Sequence, residues 1–270
     1  MKYIDIHAHL NFSDFDKDRE EVIKRTIKND MGVINIGTDM KTSEEVVDLA
    51  EKHEGFYATV GVHPSYISNV DLETAKVGIL KLAKHPKVVA FGECGLDYFH
   101  IDGDVKDFKK RQKEFFQMQI ELAIENNLPL MIHCRDAYDE VIEILQKYKN
   151  RTKNEDDQYF RKKLTGNIHF FVGSHSDAVK TLALDFNISF TGVITFVPQY
   201  EELVKALPLN RIHAETDSPF VAPSEFRGKR NEPLYSIEVV KKIAEIKGLK
   251  INDVSEQLLI NAQDLFKIKI

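Results

Sequence analysis

Residues 4–9 read Ile4-Asp5-Ile6-His7-Ala8-His9, an apolar run that ends in a His-x-His pair. In an extended strand, residues two apart share a face. His7 and His9 therefore aim two imidazoles at one place, with Asp5 one pleat behind on the same side. Two neutral imidazoles side by side are ready ligands for zinc or a similar divalent ion. A bare His-x-His is more often a pair of exposed histidines at a strand end, so its meaning depends on what the rest of the chain supplies.

Working outward, strand-like runs recur at Tyr3–His7, Val33–Gly37, Tyr57–Val62, Val88–Gly92, Leu128–His133, Asn167–Phe171, Ile188–Gly192 and Arg211–Glu215. Several are nearly continuous apolar runs, as expected of a parallel sheet covered on both faces. Helical periodicity lies between them. From Phe108 to Asn126, residues Phe108, Phe115, Met118 and Leu122 fall on one stripe, with Lys109, Lys110, Glu114 and Glu121 off it. Further helices are expected at Ser43–His53, Asp139–Lys149, Asp177–Phe186, Tyr200–Ala206, Ile237–Lys247 and Val254–Phe266. Eight strands alternating with helices over this length predict one α/β domain spanning residues 1–270, a (β/α)8 TIM-type barrel. An open doubly wound sheet is the alternative, but no Gly-rich phosphate loop follows the first strand. The polar stretch Lys149–Lys163 reads as a solvated excursion between helix and strand.

Composition sets wide limits. Apolar residues make up 43% and charged residues 30% of the 270, the mix of a soluble globular protein. No basic region followed by an apolar stretch precedes Tyr3, and no apolar run approaches the roughly 20 residues of a membrane helix. Cys94 and Cys134 make no disulfide framework, which predicts a cytoplasmic protein. A net charge of −6 argues against a general nucleic-acid coat but not against an enzyme whose metal ions and local basic loop supply the field.

Active sites of such barrels gather at the C-terminal ends of the strands. Those ends supply His7, His9, His63, Glu93, His133, His169 and, just beyond Glu215, Asp217. Each alone has an ordinary explanation as a core or turn residue, but the set is hard to assemble by chance. Glu93 lies between Gly92 and Gly95, where the backbone can turn sharply, and its two oxygens could bridge two cations. Asp217 could coordinate metal and also orient or deprotonate a water. Cys94 and Cys134 have the opposite parity to Glu93 and His133 and read as packing residues. Asp14, Asp16 and Asp18 read as solvated turn residues, and His213 as a core or supporting residue. His53, His85, His100 and His175 receive no role. Arg227, Lys229 and Arg230 put three cations in four residues, and Arg135 follows His133 by two; all four are candidate contacts for substrate phosphate.

The ordered motifs Asp5-Ile6-His7-Ala8-His9, Gly61-Val62-His63-Pro64, Gly92-Glu93-Cys94-Gly95-Leu96-Asp97-Tyr98 and His133-Cys134-Arg135-Asp136-Ala137 resemble those of the TatD family of metal-dependent deoxyribonucleases. The resemblance continues through Gly192-Val193-Ile194-Thr195-Phe196, Glu215-Thr216-Asp217-Ser218-Pro219 and Arg227-Gly228-Lys229-Arg230-Asn231-Glu232-Pro233. It implies that His7, His9 and Asp217 hold one metal, His133 and His169 a second, and Glu93 bridges them, with His63 and the basic loop on substrate phosphate. It implies a two-metal DNA phosphodiesterase, working as an exonuclease with magnesium, manganese or zinc, and needing no membrane or obligate protein partner. Where the family reads His-Cys-Phe-Ser-Gly, this chain has His169-Phe170-Phe171-Val172-Gly173, which keeps the ligand and loses a small polar group. The rival is a hydrolase of small amides, esters or lactones on the same barrel. A bridging carboxylated lysine is common there, and Glu93 in that position favours the nuclease branch.

Overall fold

The computed structural model describes residues 1–101, 103–151 and 164–269. Most of the polar stretch after Lys149 therefore lies outside the described residues. Eight parallel strands pair strictly in sequence order. They are β1 (Tyr3–Ala8), β2 (Met31–Ile36), β3 (Phe56–Val60), β4 (Val88–Asp97), β5 (Leu130–Arg135), β6 (Gly166–Ile168), β7 (Phe186–Phe190) and β8 (Ile212–Ala214). A bridge between Ala8 and Ser218 brings the chain beyond β8 back to β1, so the sheet curls into a nearly closed barrel. The expected (β/α)8 architecture is what the chain adopts.

The helices follow the expected alternation: α1 (Arg19–Lys28), α2 (Met40–Lys52), α3 (Leu72–Leu82), α4 (Val105–Asn126), α5 (Tyr138–Arg151), α6 (His175–Ala183), α7 (Glu201–Ala206), α8 (Ser236–Lys247) and α9 (Ile251–Phe266). Local chemistry fixes many of their ends. The side chains of Asp39, Asp71 and Asp104 accept the free N–H groups that open α2, α3 and α4. Gly248 stops α8 in the left-handed region, at φ 64°. Two helices stand outside the expected set, α1, which buries Val22, Ile23 and Thr26, and α3, which buries Ala75 and Ile79.

Apolar packing divides into two bodies. The larger fills the space between strands and helices, with Val33, Ala58, Phe91 and Ile132 meeting side chains such as Phe115 and Val46. In the smaller, Ile4, Ile6, Ile34, Ile36, Val89 and Met131 of the strands meet Ala262 and Phe266 of α9 and Ile268 beyond it. Helix α9 is tied to the same end of the barrel by side chains: Ser255 Oγ donates to the carbonyl of Lys2, and Asn261 Nδ2 donates to those of Leu209 and Ile212. With one end closed by α9, chemistry is left to the other, where the strands terminate.

Phe266 is fully buried in this floor. Phe266→Ala should lower unfolding free energy by about 3–5 kcal/mol through lost burial and the cavity left behind. Denaturant titration measures it, and a loss under about 1 kcal/mol would contradict the role given to α9.

Candidate metal centre

The mouth of the barrel is set first by glycine. Gly92 and Gly95 have φ of 141° and 137°, a region that L-residues avoid. A Cβ on Gly92 would come within 2.3 Å of the Met131 carbonyl oxygen, and one on Gly95 within 2.0 Å of that of His133. Only glycine lets β4 run this close to β5. The pairing of β4 with β5 shifts register between Phe91 and Cys94. Glu93 is delivered at this irregularity, 3% exposed. The sequence reading ended the strand at Gly92; in fact it continues to Asp97. The glycines mark an irregularity within β4, and the extension carries Asp97 to the mouth as well.

Four donor atoms converge on one side. His7 Nε2 lies 3.2 Å from His9 Nε2, 3.4 Å from Glu93 Oε2 and 3.6 Å from Asp217 Oδ1. His9 Nε2 lies 3.8 Å from Glu93 Oε2 and 3.3 Å from Asp217 Oδ1. Donors bonded tetrahedrally at about 2.05 Å stand roughly 3.3–3.4 Å apart. These separations are the edges of such a cage, and the residues present fit a divalent ion.

A second group shares Glu93. Its Oε1 lies 2.9 Å from His133 Nδ1 and 2.8 Å from His169 Nε2, and those two nitrogens are 3.3 Å apart. The two oxygens of one carboxylate thus face two donor groups. His7 and His169, one from each group, stack with ring centroids 3.8 Å apart.

Hydrogen bonds set the imidazole tautomers. His9 Nδ1 faces the carbonyl oxygen of Ile36 at 3.3 Å and so carries the proton, leaving the Nε2 lone pair for the centre. His133 Nε2 donates to Asp97 Oδ2 at 3.1 Å, leaving Nδ1 as the donor atom toward a cation. At His63, Nδ1 accepts from the backbone N–H of Ser65, so Nε2–H points inward, 3.4 Å from Glu93 Oε1. Behind His169, Glu215 accepts from the backbone N–H of Phe170 and from Ser189 Oγ, with its Oε1 3.8 Å from His169 Nδ1.

The electrostatics match an acceptor of cations. Burial opposes charge on Glu93, but the imidazoles around it, His169 and His63 foremost, hold its carboxyl well below the usual range. Asp217 is lowered against burial by its bond to His9. Burial drives His7 down to about 3, keeping its lone pair free. Burial opposes charge on His9 and His133 too, but the carboxylates beside them outweigh it. Asp217 raises the first, and Asp97 with Glu93 raises the second to about 9. A cation entering the centre therefore competes with protons for these two rings.

A cavity of about 740 Å³ opens over both groups, lined among others by His63, Arg135, Asp217 and Phe220. The structure brings His7, His9, His63, Glu93, His133, Arg135, His169 and Asp217 together at this end. The basic loop stands apart from the cavity lining. Arg227 lies over the Phe196 ring at 4.3 Å, and Lys229 near that of Phe226 at 5.9 Å, both exposed. Arg230 is held by both oxygens of Asp18, at 2.6 and 2.7 Å, so Asp18 is a paired residue and not only a solvated turn. Asp5 supports the mouth from behind: its carboxylate accepts from the backbone N–H groups of His7 and Thr216 and from Thr216 Oγ1, tying β1 to the segment that bears Asp217. Cys94 and Cys134 are buried as expected, and His213 is buried against Phe266 with Asn187 at its Nε2.

Comparison with known proteins fits this geometry. Residues 4–267 match the family model described as TatD related DNase. The chain belongs to the TatD family. It is 39% identical to the uncharacterized metal-dependent hydrolase YabD of Bacillus subtilis, over 98% of each protein. It is 32% identical to the 3'-5' ssDNA/RNA exonuclease TatD of Erwinia amylovora, over 97% of this chain and 98% of that one. The crystal structure of YJJV, a TatD homolog from Escherichia coli, superposes with a TM-score of 0.86 at 26% identity and covers 99% of both chains. This TatD-family chain is thus a metal-dependent hydrolase by family. Two supporting carboxylates of the centre, Asp97 and Glu215, had no role in the sequence reading; the signal for Asp97 was a strand that runs through its glycines.

Asp97→Asn keeps an oxygen for the N–H groups of Phe99 and His100 but sets an amide donor against His133 Nε2–H. It should weaken metal binding at the His133 group about 10–100-fold. Equilibrium dialysis with manganese reads this directly, and unchanged affinity would remove Asp97 from the centre.

Proposed function

We propose that this chain hydrolyses phosphodiester bonds of nucleic acid from a strand end, with two divalent ions held by the residues described above. The observation that carries the reading is Glu93, whose two oxygens face two donor groups, the arrangement required to hold a metal pair. His7, His9 and Asp217 would hold one ion and His133 and His169 the other. Such a pair supplies a nucleophile at neutral pH and neutralises charge gathering on phosphate oxygens. The ions are magnesium, manganese or zinc; the imidazole-rich donor set suits the last two and phosphodiester chemistry the first.

The chain's own residues do the rest. Asp217 lines the cavity as a carboxylate and is assigned to orient the attacking water and take its proton. His63 offers an Nε2–H fixed by Ser65, a neutral donor for a non-bridging phosphate oxygen. Arg135 brings a cation into the cavity, and no carboxylate among the described residues pairs with it. Arg227 and Lys229, exposed on the β8 side, are placed to attract phosphates farther along a strand. The relative named as a 3'-5' ssDNA/RNA exonuclease supports this substrate class, and supports attack from an end of the strand.

End-labelled DNA and RNA oligonucleotides incubated with magnesium, manganese or zinc should give a metal-dependent ladder. Glu93→Ala should reduce its rate at least about 1000-fold, the loss of roughly 4 kcal/mol of transition-state stabilisation. Intact oligonucleotides under every metal, with hydrolysis of an ester or lactone instead, would transfer the site to small substrates. Separately, the pair Arg227→Ala and Lys229→Ala should raise KM for a 20-nucleotide strand several-fold and flatten its salt dependence, while leaving a dinucleotide's KM unchanged. Equal effects on both lengths would remove the loop from substrate binding.

A further inference from the structure

Among the described residues, the aromatic rings most open to water are gathered at one end of the molecule. They are Tyr66, Phe99, Phe196 and Phe220. Each follows the C-terminal end of a strand: Tyr66 after β3, Phe99 after β4, Phe196 after β7 and Phe220 after β8. Among the described residues, neither the helical wall nor the barrel floor carries a ring this exposed. Other large rings are half-buried, such as Tyr57 and Tyr200, or packed completely, such as Phe15, Phe56, Phe91 and Phe115. Rings left exposed at this end, with Tyr66 and Phe220 in the cavity lining itself, point to a partner that covers them there.

Two of these rings are built into the centre's surroundings. Phe220 is 48% exposed, lies edge-on to Phe12 at 6.2 Å, and stands 6.3 Å from the His9 ring. Phe12 in turn stacks on His9 at 4.5 Å. On the other side Phe99, 59% exposed, has the guanidinium carbon of Arg135 over its ring, 3.8 Å from the centroid. Phe99 also meets the edge of His100, whose Nδ1 bonds Asp97, the residue that holds His133. Phe220 and Arg135 line the same cavity. Strands β4 and β8 are four apart in a ring of eight, so their loops face each other across the mouth.

Resting on the nuclease reading, we propose that Phe220 and the Phe99–Arg135 stack are two nucleobase platforms, one on each side of the scissile phosphodiester. Phe220 offers an apolar ring face beside the His7, His9 and Asp217 group. Arg135 offers a planar cation, held open by Phe99, beside the His133 and His169 group. Nucleobases stack on aromatic faces and on guanidinium planes alike, without regard to sequence. In a duplex those base faces are covered by neighbouring pairs, so the platforms accept unpaired bases and require an end to fray before it enters. Arg135 thereby works through its plane on a base, with its N–H edges left for phosphate.

The test uses the metal-loaded full chain and oligonucleotides with 2-aminopurine on either side of one methylphosphonate linkage that resists cleavage. Stacking should quench the probe on both sides. On cleavable strands, replacing either flanking base by an abasic site should raise KM between about 5-fold and 150-fold with little change in kcat. Phe220→Leu, which keeps apolar bulk and loses the plane, should cost a similar factor and make the enzyme indifferent to the abasic site on its own side. Phe220→Tyr should restore sensitivity. Should the leucine variant fail to fold, the abasic series on the unaltered chain decides alone. Cleavage that is indifferent to abasic sites, with no quenching, overturns the platforms and leaves the nuclease standing. Failure to bind or cleave any nucleic acid overturns the nuclease reading and the platforms together.

Discussion

Six ionisable side chains from five strand ends crowd one end of this barrel, and five of them are buried. Burying charge costs several kcal/mol per group unless a partner answers it. Within the chain Glu93 and Asp217 are answered by imidazoles, His9 and His133 being raised toward their charged forms by the carboxylates beside them. Two carboxylates face four imidazoles, burial keeps His7 neutral, and the ring nitrogens stand closer to one another than unprotonated acceptors prefer. Divalent cations would resolve this crowding, because these atoms would then be donors to positive charge. The rest of the mouth follows from that constraint.

It explains why so much of the surrounding structure is devoted to aim. The carbonyl of Ile36, the carboxylate of Asp97 and the backbone N–H of Ser65 each fix which nitrogen of a histidine carries its proton. Asp5 binds Thr216 on the loop that carries Asp217, so the first strand and the last are locked before any ion arrives. Asp217 and Phe170 adopt φ of 53° and 46°, conformations that cost free energy and cluster at functional sites. At the opposite end, stability comes from apolar packing under α9, which separates the part that holds the fold from the part that does chemistry.

Much of this was legible in the sequence, for physical reasons that also mark where legibility stops. Parallel strands covered on both faces are continuous apolar runs, so all eight could be found, and ligands at their ends could be collected by position. Two short helices, α1 and α3, were not among the segments that helical periodicity marked. Glycine misled in one place: Gly92 and Gly95 read as the end of β4, when they allow it to press against β5 and continue to Asp97. Arg230 read as a free cation because its partner Asp18 lies far away in sequence. Tertiary pairings of this kind, and the gathering of exposed rings at the mouth, have no local signature.

The central claim is that Glu93 bridges two ions. Crystals grown with manganese, measured for anomalous scattering, test it most directly. The account predicts two peaks: one among His7, His9 and Asp217, the other between His133 and His169, with one oxygen of Glu93 on each. A single peak, or two peaks of which one lies out of reach of Glu93, would contradict it.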